Sequence, residues 1–433
     1  MSGDVWQSWI ANLGHDTYSF PAWITQQQLP CSCGFVKMTS DLTVRCVTTE
    51  SGVESTVDWH AAVKADADRR KRGETGLHLR FCEARAWLLT HMPQFDLNFL
   101  PQSVTVNGTS MLDDVVAFAL MADHAAAWSV SVPLDVRLSY LLPYGSYHES
   151  RQNWRPLMFA KFFGLVANAT SAREAMGRLL APNVFLQWGA HYWPSSPRQP
   201  TSGGYSLEWA SSTTPPSVAP FDFVAYGYAS CTGWATFLTY AARSVGIPAR
   251  QAGTPCWNSV YNGVDFRGLA IDNSNVSLCW DGGSEQLGYG GGFLNNHNWV
   301  EIYDAGQWSF VNVPPGSKST NEGLCGSHFQ EAEGCGYNHS ATAGHECNGV
   351  IGGPGAAMRD HEIFSVTWSL PGDTEEDVID VKDLKLSNGR PASPLVWAPK
   401  LTSPLGLRLQ NVGLRMVNRT EFYRCKPGMH HRS

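Results

Sequence analysis

Apolar residues recur every three or four positions in several stretches of the chain, a spacing that predicts amphipathic helices. Helices are predicted within the charged segment 57–90, over 111–127 and over 154–167. A further helix is predicted to begin at Ser171, because Ser171 and Glu174 have the spacing of a capping box. The first half of the chain is therefore predicted to be rich in helices.

One predicted helix, over 231–245, carries a cysteine at its first position. Its apolar face consists of Cys231, Trp234, Ala235, Leu238, Ala241, Ala242 and Val245. Ser230 lies at the expected N-cap, Gly246 at the left-handed C-cap, and Pro248 follows at the usual distance. The positive end of a helix dipole stabilises a thiolate and lowers the pKa of a cysteine there. This position is typical of a nucleophile.

Alternating apolar and polar residues predict a β-hairpin downstream of that helix. Its strands are 297–303 and 308–313, with Gly306 in the turn. In the register that this turn sets, Tyr303 faces Trp308.

The hairpin places catalytic residue types close together. In the same register Asn312 is opposite Trp299 and diagonal to His297, within reach of a side-chain hydrogen bond. A nucleophilic cysteine needs a base and a group that orients the base. The hairpin offers Cys231 such a His-Asn pair.

Four sequence blocks in this region occur in a characteristic order: Ser230–Gly233, Gly246–Arg250, His297–Glu301 and Gly306–Trp308. They resemble the transglutaminase-like superfamily of Cys-His-Asp thiol enzymes. The resemblance implies that Cys231 is the nucleophile and His297 the general base and acid. The third position, where the family typically has Asp, is Asn312 in this chain. The pattern is then Cys-His-Asn, as in papain-like enzymes, where the amide orients the imidazole.

Flanking blocks extend the resemblance to bacterial-type transglutaminase-domain proteins, at 141–144, 153–155, 364–366 and 394–397. The implied fold class is α+β: a papain-like transglutaminase core in which the helix bearing the nucleophile packs on an antiparallel β-sheet. The chain is predicted to have three parts. They are an N-terminal extension of unknown role (1–105), a catalytic domain (106–355, core 221–316) and a C-terminal β-rich segment (356–433).

Three residues near this pattern have less specific chemistry. Trp234 and Trp299 are predicted to wall the cleft and bind substrate, although with 17 tryptophans in the chain core packing is the default for any one of them. Arg250 is predicted to be structural, holding carbonyl groups or a carboxylate.

Charge and hydropathy exclude some partners. With 31 Lys and Arg against 38 Asp and Glu, the net charge of −7 argues against nucleic acid. No stretch approaches the roughly 18 apolar residues of a membrane span, so no membrane partner is predicted. The first residues, 1–6, lack a basic then apolar leader, which favours a cytoplasmic location while leaving it open.

A segment rich in cysteine and histidine contains residue types that bind metals: Cys325, His328, Cys335, His339, His345 and Cys347. The segment has no CxxC pair and is full of Gly and Ser, so neither a metal nor a cofactor is predicted. The chain also has no GxSxG elbow, HExxH helix, Walker A loop or GxGxxG after a strand.

The expected activity is acyl transfer through a cysteinyl thioester, from a peptide, protein or small amide substrate to water or to an acceptor amine. The residues do not distinguish hydrolysis from transamidation, because both share one intermediate. The alternative is a binding or scaffold protein that kept the fold and lost catalysis, and the departure at Asn312 supports it. A third possible function is sugar binding, and it is supported only by the aromatic composition of the chain.

Overall fold

The computed structural model describes residues 33–38, 44–48, 54–56, 58–98, 100, 111–146, 149–181, 184–185, 207–209, 219–257, 295–311, 313, 364–374, 376–380 and 415–419. The helices are α1 (Trp59–Lys71), α2 (Phe81–His91), α3 (Gln94–Leu97), α4 (Met111–Ala125), α5 (Leu134–Tyr140), α6 (Arg155–Val166), α7 (Ala172–Leu179), α8 (Pro220–Tyr226) and α9 (Cys231–Ser244). The strands are β1 (Cys33–Met38), β2 (Val44–Thr48), β3 (Glu54–Thr56), β4 (Glu208–Trp209), β5 (Tyr228–Ala229), β6 (Ala249–Trp257), β7 (Asn295–Asp304), β8 (Gln307–Val311), β9 (Phe364–Thr367), β10 (Val378–Asp380) and β11 (Arg415–Asn418).

The largest described sheet has the strand order β10-β11-β9-β6-β7-β8, and all of its neighbouring strands are antiparallel. Helix α9 packs on one face of this sheet, where its side chains share a core with Val300 and Ile302 of β7. Helices thus cover an antiparallel sheet, and the predicted α+β class is confirmed.

The β7–β8 hairpin has the predicted register. Tyr303 is opposite Trp308, and Glu301 is opposite Phe310. Ala305 and Gly306 both have positive φ angles, 48° and 85°, as a two-residue type I′ turn requires.

Helix α9 begins at Cys231 as predicted, and all of its residues are buried. Its C-terminal end also agrees, because Gly246 has a φ of 91° and a Cβ there would lie 2.7 Å from the carbonyl oxygen of Ala122. The other end agrees as well, because Ser230 is at the predicted N-cap position, although its side chain makes no capping hydrogen bond.

The helices of the first half form mostly where periodicity predicts them. Ser171 caps α7 by accepting a hydrogen bond from the Glu174 N–H at 3.0 Å. In a capping box the Glu174 carboxylate would accept from the Ser171 N–H. In the structure it accepts from the N–H of the preceding residue, Thr170. Among the described helices, none is long and apolar enough to cross a membrane.

Arg155 at the start of α6 joins two of the flanking sequence blocks. Its guanidinium donates to the carbonyl oxygens of Leu141, Leu142 and Pro143, at 2.9 to 3.2 Å. The indole of Trp154 donates to the carbonyl oxygen of Tyr144 at 2.8 Å. The two blocks therefore meet in space, and they support the end of α9, where Arg155 also binds a backbone carbonyl.

Segments from the N-terminal and C-terminal parts also meet. The fully buried imidazole of His91 in α2 lies 2.7 Å from the carboxylate of Asp373, and Arg415 in β11 donates to the His91 carbonyl oxygen at 2.7 Å. Trp368 completes a core cluster whose other members come from residues 62–144. Strands β9 and β11 thus belong to the main sheet. The boundaries at 105 and 355 stay a prediction.

Short apolar runs in the sequence also predict strands over 184–188 and 394–399, and both fall largely outside the described residues. The strand expected over 184–188 is described only at Val184 and Phe185, which lie in a turn. The strand expected over 394–399 is not among the described residues.

Candidate functional site

Cys231 lies where the short strand β5 is followed by the buried helix α9. Strand β5 ends at Ala229, Ser230 follows, and Cys231 is the first residue of α9. The cysteine is buried, with 6% of its surface exposed. The first N–H groups of a helix have no acceptor within it, and the Ser230 hydroxyl makes no capping bond. The partial positive charge of this helix end therefore acts at the thiol.

Strand β7 reaches the start of this helix through one hydrogen bond. The Asn298 Nδ2 donates to the Thr232 Oγ1 at 2.8 Å, and both side chains are buried. Thr232 follows Cys231 in the chain, and Asn298 follows His297. The contact therefore joins the sequence neighbours of two residues that were predicted to act together.

The backbone of His297 is part of β7, opposite Thr254 of β6. Its side chain lies outside the described part of the structure, and so does the whole of Asn312. The catalytic roles of Cys231, His297 and Asn312 therefore stay a prediction. The described strand β8 ends at Val311, opposite Val300.

The two tryptophans expected to bind substrate are core side chains. Trp234 packs edge-to-face on Phe223, with ring centroids 4.7 Å apart, and Trp299 packs on Phe310 at 5.6 Å. Both indoles are almost completely buried. A role toward substrate stays a prediction for both.

Trp209 is an exposed aromatic residue close to β5, the strand that precedes Cys231, and the sequence pattern did not identify it. Its strand, β4, pairs in parallel with β5, which puts Trp209 opposite Ala229, two residues before Cys231. Trp209 is 47% exposed. Tyr226 at the end of α8, 46% exposed, is a second large apolar side chain near β5. Trp209 lies in a segment rich in Pro, Ser and Thr, which predicts a loop. Its position near Cys231 therefore follows only from the parallel pairing of β4 with β5.

A layer of polar side chains lies between α9 and the sheet below the Cys231 end. The Gln251 Oε1 accepts from the Thr236 Oγ1 at 3.2 Å and from the Ser146 Oγ at 3.0 Å. The Thr236 hydroxyl also lies 3.0 Å from the carbonyl oxygen of Thr232. Strand β6, the first turns of α9 and the 146 loop are held together in this layer.

The opposite face of the sheet carries a buried ionic network around Arg250. Its guanidinium lies 2.7 Å from Glu301 and 2.8 Å from Glu376, and it donates to the Tyr140 hydroxyl at 2.9 Å. Burial works against the charge, but Tyr140, Glu376 and Glu301 together raise the pKa of Arg250 well above its ordinary value. The structural role predicted for Arg250 is confirmed.

Within the described residues, one cluster has the residue types of a metal site: His78, Asp123 and His124. The Asp123 carboxylate is already bound by the Arg137 guanidinium at 2.8 Å. Burial opposes this charge, but Arg137 and the surrounding hydrogen bonds lower the pKa of Asp123 to about 2. The two imidazoles stack nearly parallel, with centroids 4.2 Å apart, so their lone pairs do not converge on one ion. The Cys/His cluster at 325–347 lies outside the described residues.

Comparison with known families gives a match over part of the chain. Residues 201–313 match the transglutaminase-like superfamily. This segment contains β4, α8, α9 and the β6–β8 part of the sheet. Comparisons with curated proteins and with solved structures gave no match. The similarity to the transglutaminase-like superfamily therefore covers the part of this chain between residues 201 and 313.

Proposed function

We propose that this protein is a thiol-dependent acyl-transfer enzyme with a papain-like arrangement of helix α9 on the antiparallel sheet. The Cys231 thiolate would be the nucleophile, His297 the general base and acid, and Asn312 the group that orients the imidazole. The observation that carries the proposal is the Asn298–Thr232 hydrogen bond, which joins the neighbours of Cys231 and His297. The superfamily match over the same elements supports it.

The proposed chemistry has two steps. The Cys231 sulfur forms a bond to the carbonyl carbon of an amide, and the carbon–nitrogen bond breaks as His297 gives its proton to the departing amine. The backbone N–H of Cys231 at the helix start is the natural first donor to the oxyanion. Water or a second amine, deprotonated by His297, then attacks the thioester and releases the thiolate.

The surroundings of Cys231 suit an amide substrate with an apolar group close to the scissile bond. Trp209 and Tyr226 present exposed rings beside β5, which leads directly to Cys231. Aromatic rings bind apolar and aromatic groups with little loss of conformational entropy. A peptide, a protein segment or a small amide can satisfy this requirement, with an amine as the second substrate in transamidation.

The first test is the rate of alkylation by iodoacetamide as a function of pH, with each modified cysteine identified by mass spectrometry. We expect rapid modification of Cys231 in mild acid. At that pH a cysteine is present as a thiolate only where its surroundings stabilise the negative charge, as the helix start and His297 would do for Cys231. His297→Ala should abolish this rapid phase. Cys82, a cysteine buried in α2, serves as the internal reference thiol in the same sample.

A substrate screen with peptides and amines then follows, in which Cys231→Ala should lose all turnover. Slow modification of Cys231 that does not respond to His297→Ala would contradict the enzyme proposal. It would favour the second candidate, a transglutaminase-like binding or scaffold protein, for which the Asn at position 312 is the supporting observation.

A further inference from the structure

Asn298 lies at the end of a short apolar stripe. On the face of β7 that packs against α9 it is followed by Val300 and Ile302, which belong to the core around α9. Asn298 itself is fully buried. An amide at the end of an apolar stripe needs a physical reason, because buried polar groups lower stability unless all their hydrogen bonds are made.

Stability does not supply that reason. The Nδ2 of Asn298 donates to the Thr232 Oγ1, but among the described residues its Oδ1 has no hydrogen-bond partner. An apolar side chain of similar size would fill the site without an unmet acceptor. Residues that break the local pattern in this way are most common where a protein has a function to preserve.

The location of the bond indicates what it does. Its two residues directly follow Cys231 and His297 in the chain, so any sliding of β7 along α9 would move the thiol and the imidazole relative to each other. The Thr236 hydroxyl lies 3.0 Å from the Thr232 carbonyl oxygen and 3.2 Å from the Gln251 Oε1 of β6, and its single proton is donated to one of them at a time. Thr236 therefore lies between the helix end of the bond and strand β6.

We infer that Asn298 and Thr232 are positioning residues that set the separation of Cys231 and His297 through their mutual hydrogen bond. The inference rests on the proposed function. The bond acts on the two catalytic residues through the backbone of the helix and the strand, and neither side chain needs to touch the substrate. Reactions between two groups depend steeply on such placement, since a displacement of about 1 Å lowers a rate by about a hundredfold.

The test compares three substitutions at two threonines of α9. Thr232→Val keeps the shape of the side chain and removes the hydroxyl, and Thr232→Ser keeps the hydroxyl. Thr239→Val is the matched control: Thr239 is fully buried in the same helix, and among the described residues its Oγ1 has no hydrogen-bond partner. Each variant is measured by the pH profile of Cys231 alkylation and by its thermal melting.

We expect Thr232→Val to lower the alkylation rate of Cys231 at about pH 6 roughly tenfold, and to move the half-maximal pH upward by about one unit. Thr232→Ser should restore the wild-type profile, and Thr239→Val should follow the wild type. In a His297→Ala background, Thr232→Val should have no further effect on the profile. A loss of stability alone lowers the melting temperature without moving the half-maximal pH. If Thr232→Val does not fold, Asn298→Ala replaces it in the test, and the same upward shift of the half-maximal pH is expected.

The outcomes separate the inference from the proposed function. If wild-type Cys231 reacts rapidly in mild acid and Thr232→Val follows Thr239→Val, the positioning role is wrong and the enzyme proposal stands. If wild-type Cys231 reacts no faster than Cys82, the enzyme proposal fails, and the positioning role fails with it because no activated pair exists.

Discussion

The two faces of the central sheet are built on opposite principles. The face under α9 has Val300 and Ile302 of β7 in the apolar core. Polar contacts to the sheet lie at both ends of the helix: Asn298–Thr232 near Cys231, and the Arg243 guanidinium to the Ala249 carbonyl oxygen near the other end. The other face carries buried charges, with Arg250 between Glu301 and Glu376. Apolar packing is non-directional, whereas an ionic network is satisfied in one geometry only.

This difference separates two tasks of the same strands. The apolar face provides stabilisation for α9, and the Asn298–Thr232 contact lies where the candidate chemistry requires a fixed geometry. The charged face fixes which strands lie side by side. Glu301 of β7 also contacts Ser365 of β9 and Arg419, which follows β11. The C-terminal segment is thereby joined to the strand that carries His297.

The largest expected effect is from breaking the charged face. Arg250→Met removes the fully buried cation between Glu301 and Glu376 and leaves them only their longer contacts with Arg419, so we expect a loss of about 3–5 kcal/mol in the free energy of unfolding, measured with urea. Arg178→Met is the control, because the Arg178–Glu174 pair lies at the surface of α7 and its removal should change little. Equal stability of the two variants would show that the network on the charged face is not a major determinant of the fold.

A substitution on the apolar face should lower the free energy of unfolding by less. Ile302→Ala opens a cavity between β7 and α9, and we expect a loss of about 2–4 kcal/mol in the same urea experiment. The loss should be independent of pH, because no titrating group is removed. A loss that varied with pH would mean that this face also depends on charge.

The smallest expected effect is a loss of stability that depends on pH, which the charged face should show and the apolar face should not. Burial opposes the charge of Glu376, but Arg250 and Tyr140 hold its pKa below the ordinary 4.5. A carboxyl whose folded pKa is lowered contributes stability above its unfolded pKa, and this contribution is lost as the pH falls through the folded pKa. Glu376→Gln should therefore cost roughly 1–2 kcal/mol at neutral pH and less below about pH 4.5.

Ile302→Ala provides the reference for this measurement. The free-energy difference between wild type and Glu376→Gln should shrink on acidification, and the difference for Ile302→Ala should stay constant. A constant difference for both variants would contradict the assignment of Glu376 as an ionised member of the network.

Sequence reasoning succeeded where the cause was local. The hairpin register follows from a two-residue turn, and the start and end of α9 follow from Cys231, Gly246 and a continuous apolar face. It placed Ser230 at the N-cap correctly, but the absence of a capping bond from the Ser230 hydroxyl was not predictable, because a side-chain rotamer depends on its three-dimensional surroundings. The position of Trp209 was not predicted, since a two-residue parallel pairing leaves no periodic pattern in the sequence.

The sequence by itself determined the helices, the hairpin and the order of the motif blocks, because these depend on neighbours within a few residues. Only the tertiary structure decided that Asn298 binds Thr232, that Arg250 lies between Glu301 and Glu376, and that β9 and β11 join the main sheet. Such contacts join residues as far as 126 positions apart. They depend on how whole elements pack, and no short-range pattern encodes that packing.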